Sequence, residues 1–260
     1  MLMTPCLSPD GRLFFYTGQK FIRFSMLHKI KTYFDDFLEL VYPTLCIACH
    51  TGEIEVADAF CLDCYAQMPF TGQAYMKEND FISHFKGKID IDHGSALFYF
   101  SGNNLVRRMI REMKYKGMSH YGILLGRILG GVLQKSPYYN DLDVIIPVPI
   151  HKKKEKSRGY NQSLMIAKGI NDVLKIQIDD TSLIRTRNTA TQTKMSREER
   201  IKNLDNAFRL MDAEALRGKN ILLVDDVLTT GTTLLECSKT LLQSPGISLK
   251  FVTLAMGSML

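Results

Sequence analysis

The chain has 260 residues, 45% hydrophobic and 23% charged, and its 33 Lys and Arg against 27 Asp and Glu leave a net charge of +6. That is ordinary globular composition for one large or two modest domains, and the small surplus allows an anionic ligand without demanding a nucleic-acid binder. No apolar run approaches the roughly 20 residues that span a bilayer, and residues 1–25 lack a continuous apolar stretch, so neither membrane insertion nor export is expected and the reading is cytoplasmic. Residues 1–25 read as a loosely ordered leader, or as sequence ahead of a natural start at Met26. Lys29 to Tyr42 places Ile30, Tyr33, Phe34, Phe37, Leu38 and Val41 at helical spacing, and Pro43 ends it. A cysteine module follows from Leu45 to about Met68, giving a unit over 26–75, and 76–93 reads as a connector. Gly94 to Phe100 is strand-like and Ser101-Gly102 turns it. Leu105 to Tyr115 reads as a helix made basic by Arg107, Arg108, Arg111 and Lys114, and Tyr121 to Gln134 as a second. Asp143 to Val148 is a short apolar run closed by Pro147 and Pro149, which limit further pairing. Asn161 to Lys175 is amphipathic, Ser182 to Arg187 fits a strand, and Ser196 with Glu199 fits a capping box. A strand from Ile221, a helix from Thr232 and a strand over Leu249 to Ala255 complete the chain. From about 140 onward strands and helices alternate, so the predicted class is α/β with a parallel sheet flanked by helices.

Six cysteines occur, and four form two pairs, Cys46-x-x-Cys49 and Cys61-x-x-Cys64. Two intervening residues let one turn present both sulfurs to a single ion. The stretch between Cys49 and Cys61 is long enough for a hairpin that returns the second pair. Without an export signal this favours metal over disulfides, and four thiolates make a closed structural Zn²⁺ site. His50 is an alternative fourth ligand. The other reading is four buried reduced cysteines.

Ile221 to Val224 run straight into Asp225 and Asp226, and Thr229-Thr230-Gly231-Thr232-Thr233 follow. A parallel sheet binds ligands at the carboxyl ends of its strands. Two carboxylates there can accept from adjacent sugar hydroxyls. The loop amides and hydroxyls at a helix start suit a phosphate, and Gly231 lets the backbone approach closely. A generic strand with a capped helix would need only one aspartate and one threonine. No G-x-x-x-x-G-K-[ST] occurs, which disfavours a P-loop NTPase. Residues 151–200 carry twelve Lys and Arg against six Asp and Glu, equal to the whole surplus of charge.

Ile221 to Thr233 resembles the phosphoribosyl pyrophosphate (PRPP) signature of type I phosphoribosyltransferases. Further motifs resemble the ComF family, the competence-protein and GntX-like phosphoribosyltransferases. They are the paired cysteines, Tyr99-Phe-Ser-Gly102, Lys114-Tyr-Lys-Gly117, Pro147-Val-Pro149, Arg158-Gly-Tyr-Asn-Gln162, Thr191-Gln192, Arg197, Arg200, Asn203 and Ala207-Phe208. They run in order over about 27–256. The resemblance implies a type I phosphoribosyltransferase fold over 94–260 with a small N-terminal zinc module. It also implies that Thr229 to Thr233 hold the 5′-phosphate and that Asp225 and Asp226 contact the ribose hydroxyls. The loop from Pro149 to Arg158 would take pyrophosphate, with Lys152, Lys153, Lys154, Lys156 and Arg158 as its cations. Residues 189–200 resemble a mobile flap, bringing Lys194, Arg197 and Arg200 over the substrate. Mg²⁺ would accompany PRPP, and the acceptor would be a nucleobase or amine. Asp226 is a candidate general base. The alternative is a non-catalytic PRPP-binding or single-stranded-DNA-handling adaptor in transformation, with competence-machinery proteins as partners. Arg107, Arg108, Arg111, Lys114 and Lys116, set among Tyr99, Phe100 and Tyr115, suit single strands, although a basic face on an amphipathic helix reads more simply.

Overall fold

The computed structural model describes residues 5–7, 13–17, 20–22, 45–100, 105–115, 117–186 and 207–257. The predicted helix at Lys29 to Tyr42, the turn at Ser101-Gly102, the capping box at Ser196 and the flap residues Lys194, Arg197 and Arg200 lie outside them. The chain divides into two compact units, Met1–Leu45 and Cys46–Leu260. In the first, β1 (Pro5–Leu7), β2 (Leu13–Thr17) and β3 (Lys20–Ile22) form an antiparallel meander in which Phe15 stands opposite both Pro5 and Ile22.

The second unit is built on a parallel four-stranded sheet in the order β4-β9-β8-β5. These strands are β4 (His93–Phe100), β5 (Val144–Pro147), β8 (Asn220–Leu228) and β9 (Ser248–Gly257). Side chains alternate across a pleat, so a strand covered on both faces must be apolar at every position. In β8, Leu222 and Val224 join one buried cluster while Ile221 and Leu223 join the other. All four are 0% exposed, which is why the run reads as continuous rather than alternating.

Helices α3 (Leu105–Tyr115), α4 (Ser119–Gln134) and α6 (Gln162–Leu174) contribute to the first cluster, together with the cysteine module and its short helix α1 (Leu62–Ala66). The second cluster takes α2 (Asp80–Phe85), α7 (Thr232–Leu241) and residues of the small antiparallel pair β6 (Leu183–Arg185) and β7 (Phe208–Leu210). The predicted connector over 76–93 therefore contains α2, and a 3-10 turn at Gln73–Tyr75 stands just ahead of it.

Two contacts matter for the site. Helices α4 and α6 touch backbone to backbone: a Cβ on Gly126 would sit 2.3 Å from the Ile166 carbonyl oxygen, and one on Gly169 would sit 2.1 Å from that of Ile123. Both sheet edges are also covered. The Tyr99 amide donates to Pro69 and the Thr71 amide to Leu97 along β4, while the Ile145 amide donates to Gln177 along β5.

Candidate functional site

Because the four strands are parallel, their carboxyl ends meet at one end of the sheet. There β8 outlasts its neighbour: Pro147, the last residue of β5, pairs with Val224, whereas β8 continues along β9 to Leu228. The predicted strand end at Asp225 and Asp226 is thus corrected. Both residues lie inside β8, beyond the end of β5, which leaves them an unpaired side.

Helices α6 and α3 and the backbone of β8 itself meet at the two carboxylates. Ser163, in the first turn of α6, donates to Asp225 Oδ1 at 3.0 Å, and the Asp226 amide donates to the same oxygen at 2.9 Å. Lys114, near the end of α3, meets Asp226 Oδ2 at 2.8 Å. Burial, and then the charge of Asp226, push the Asp225 carboxyl up to about 7. Burial opposes the charge on Lys114, but Asp226 and then Asp225 outweigh it, and its pKa is raised.

Around this pair the cations crowd one another. Burial first, then Arg185, Arg158 and Lys114, draw the Lys154 pKa down. Burial also lowers that of Arg185, which feels Asp225 and lies 5.3 Å from the centre of the Phe208 ring. Arg158 donates to Gln162 Oε1 at 2.9 Å. The stretch predicted as a pyrophosphate loop is largely helical: α5 spans Lys152–Arg158. His151 caps it by accepting from the Lys153 amide, the long unbranched side chains favour helix, and Gly159 ends it at φ +85°. Within α5, Lys152 is exposed, whereas Lys154 and Arg158 are half-buried.

The Arg158-Gly-Tyr-Asn-Gln162 motif joins these parts. The Tyr160 hydroxyl donates to the Met113 carbonyl of α3. Asn161 caps α6 through the Ser163 amide and donates to the Val148 carbonyl just after β5 at 3.0 Å. One short segment thereby fixes the ends of α3, β5 and α6 beside Asp225.

Thr229 to Thr233 line a small polar cup together with Asp225 and Leu228. Gly231 has φ +71° and stands directly before α7, and the Thr230 and Thr232 hydroxyls are 2.8 Å apart. Larger surface cavities, of about 320 Å³ beside His93 and Lys250 and about 450 Å³ beside Asp179 and Asp212, contain none of the predicted site residues.

At the other predicted site, the ligand atoms of Cys46, Cys49, Cys61 and Cys64 lie within 4.8 Å of one another. A tetrahedral ion with Zn–S of about 2.3 Å requires sulfurs about 3.8 Å apart; Cys49 and Cys61 are 3.8 Å apart. The predicted hairpin is present: Val56 pairs with Phe60 around Ala57 and Asp58, both in the left-handed region at φ +54° and +51°. Hydrogen bonds from the Thr51 side chain, then from the Thr51 and Gly52 amides, pull the Cys49 thiol down to about 5. The donor set fits a metal and is compatible with Zn²⁺. His50 stands outside it, with Nε2 2.8 Å from the buried Glu112 of α3. Among the described residues no other group of three His, Cys, Asp or Glu could hold a metal, so no carboxylate cage for a divalent cation surrounds Asp225.

The sequence reading placed Asp225, Asp226 and the threonine loop together, and the structure joins Arg158 to that region. It missed Ser163 and Arg185, and treated Lys114 as part of a basic helix face. Lys114 carries a readable signal, a lysine at the end of a helix shortly before Gly117. Ser163 carries none.

The profile of the phosphoribosyl transferase domain matches residues 161–257, which contain α6, β8, the threonine loop and β9. The DNA utilization protein YhgH of Escherichia coli O157:H7 is 34% identical over 139 residues, covering 52% of this chain and 60% of that protein. Competence protein F of Haemophilus influenzae is 28% identical over 206 residues, 75% of this chain and 90% of the relative. Competence protein ComFC of Bacillus subtilis is 26% identical over 144 residues, 55% of this chain and 56% of the relative. The chain thus spans less than two thirds of the first of these relatives. The domain match, the parallel sheet with its flanking helices and the four-cysteine cluster agree with a type I phosphoribosyltransferase domain, and together with these relatives they support a ComF-like phosphoribosyltransferase-fold protein.

Proposed function

We propose that the protein binds PRPP with Mg²⁺ and transfers the phosphoribosyl group to a nucleobase or amine. The observation that carries this reading is the convergence, at one sheet end, of two adjacent carboxylates, an amide- and hydroxyl-lined cup, and the cations Lys114, Lys154, Arg158 and Arg185. PRPP asks for those three chemistries together: a ribose diol for Asp225 and Asp226, a 5′-phosphate for Thr229 to Thr233, and a diphosphate for the cations.

In the reaction the bond from ribose C1 to the diphosphate oxygen breaks, and diphosphate leaves with the electron pair. The acceptor nitrogen bonds to C1 and gives up a proton. Mg²⁺ bound with the diphosphate would neutralise charge on the leaving group. The protein's own part is positioning and charge compensation. Asp225, titrating near neutrality, suits proton uptake better than Asp226, which Lys114 holds. Lys152, Lys194, Arg197 and Arg200 remain proposed contacts to the diphosphate from α5 and the flap.

The Cys46, Cys49, Cys61 and Cys64 site is proposed to hold structural Zn²⁺. A cytoplasmic location fits this chemistry, and no helix among the described residues is long and apolar enough to cross a membrane. The relatives' names, DNA utilization protein and competence protein, favour a second reading: a PRPP-binding adaptor in DNA uptake that handles single strands or competence-machinery proteins without turnover.

Titrating PRPP with Mg²⁺ and then screening nucleobases and amines for diphosphate release separates these readings. Turnover supports the transferase, and binding without turnover supports the adaptor. No binding at millimolar PRPP removes both. Asp225→Asn with Asp226→Asn should weaken PRPP at least tenfold; unchanged affinity breaks the ribose assignment. For the adaptor, single-strand affinity should fall steeply with salt.

A further inference from the structure

The threonine loop is held from behind by a residue outside the matched domain. His84 belongs to α2, and its Nε2 donates to the Thr230 carbonyl at 3.0 Å. Its ring also fills the space that a side chain at residue 231 would need, since a Cβ there would lie 2.8 Å from His84 Nε2 and 2.9 Å from Cδ2. The ring is held still by its helix. Asn79 caps α2 through the Ile82 amide at 2.9 Å and donates to the Gly94 carbonyl at 3.0 Å. Phe85, 1% exposed, meets Phe251 of β9 at 5.1 Å between ring centres.

In a trans peptide the carbonyl of one residue and the amide N–H of the next point in opposite directions. With the Thr230 carbonyl engaged by His84, the Gly231 N–H faces away from that ring. The cup that Thr229 to Thr233 form is lined without His84. Glycine tolerates either orientation of this peptide. A flip would turn a carbonyl toward the anion and its donor away.

Resting on the PRPP reading, we propose that His84 is a positioning residue that locks the Thr230–Gly231 peptide with its N–H toward the 5′-phosphate. Affinity for the phosphorylated end of the ligand then depends on a side chain contributed by the segment between the cysteine module and the sheet.

Calorimetric titrations of the full chain with Mg²⁺–PRPP, ribose 5-phosphate and inorganic pyrophosphate test this with His84→Phe and His84→Gln. Phenylalanine keeps the ring and removes the donor; the glutamine carboxamide can donate where Nε2 does. His84→Phe should weaken PRPP and ribose 5-phosphate about tenfold, the scale of one hydrogen bond to a charged group. Pyrophosphate, which lacks the 5′-phosphate, should bind unchanged, and His84→Gln should recover most of the loss. Equal weakening of all three ligands overturns the proposal, because it marks general damage to the site. So do unchanged PRPP binding by His84→Phe and a glutamine variant no better than phenylalanine; in those cases the PRPP reading survives. Wild-type protein that binds none of the ligands brings down the PRPP reading and this inference with it. Should His84→Phe fail to fold, imidazole ¹⁵N spectra of the wild type decide. The His84 signals should report an Nε2–H ring and shift with ribose 5-phosphate, while those of buried His93 stay put; unmoved His84 signals overturn the proposal.

Discussion

The two sites of this molecule are assembled in opposite ways. The cysteine site draws its four sulfurs from residues 46–64, within a pair of turns that need only their own hydrogen bonds to form. The acidic site draws on α2, α3, α5, α6, β6 and β8, which the sheet alone brings together. A locally built site stands or falls with its ion. A convergent one depends on packing elsewhere, and can be damaged by substitutions that touch no ligand.

Removing the metal should have the largest effect. Cys46, Ala48, Ala59 and Phe60 are all 0% exposed and share a core with α3 and α4, so loss of the ion reaches past the hairpin. Chelation should lower the thermal midpoint by more than about 10 °C and open residues 46–64 to protease, with zinc restoring both. Metal-free protein that melts like the native form would erase the contrast between the two sites.

Next comes a substitution far from either carboxylate. Gly169→Ala drives a methyl against the Ile123 carbonyl and to 2.8 Å from the Arg127 amide, forcing α4 and α6 apart. It should cost about 3 kcal/mol in denaturant unfolding and also weaken PRPP, because the first turn of α6 carries Ser163 to Asp225. Gly131→Ala in α4, where a Cβ meets nothing within 4 Å, should be neutral or slightly stabilising. If Gly169→Ala loses stability but keeps full PRPP affinity, the dependence of the acidic site on remote packing is refuted.

The smallest expected effect sharpens the electrostatics. A folded pKa near 7 lies above the ordinary aspartate value of 3.8, so between these values the native state binds more protons than the unfolded chain. Native stability should therefore fall as pH rises through that window. Asp225→Asn removes the penalty and should stabilise the ligand-free protein by roughly 2 kcal/mol at pH 8, with little change near pH 4. Denaturant midpoints at the two pH values measure it; equal shifts at both would place the effect outside Asp225 ionisation.

The same contrast explains what could be read before folding. The cysteine spacing was legible because geometry over a few bonds determines it. So was the strand, because burial on both faces demands an unbroken apolar run at Ile221 to Val224. The threonine loop was legible because glycine marks a tight approach, here to His84. Helix α5 was missed since five cations in seven residues look like an unstructured basic loop, and its cap is a histidine rather than Ser, Thr, Asp or Asn. Ser163 and Arg185 gave no warning: each acquires its role only when the sheet brings distant segments to one end. Lys114 was visible but misassigned, because a basic helix face and a single inward lysine differ only by rotation about the helix axis.

The covered edges of the sheet bear on how this protein can be dissected. Phe70 pairs antiparallel with Phe98, so the segment leaving the cysteine module behaves as an added outer strand on β4. A chain shortened to begin at β4 would present an unprotected row of amides and carbonyls, along with the apolar face that the module covers. Such a fragment should self-associate through that edge and come out of solution. The small cysteine module is thus a cover against aggregation as well as a neighbour of the larger domain, and the two are best produced and studied as one piece.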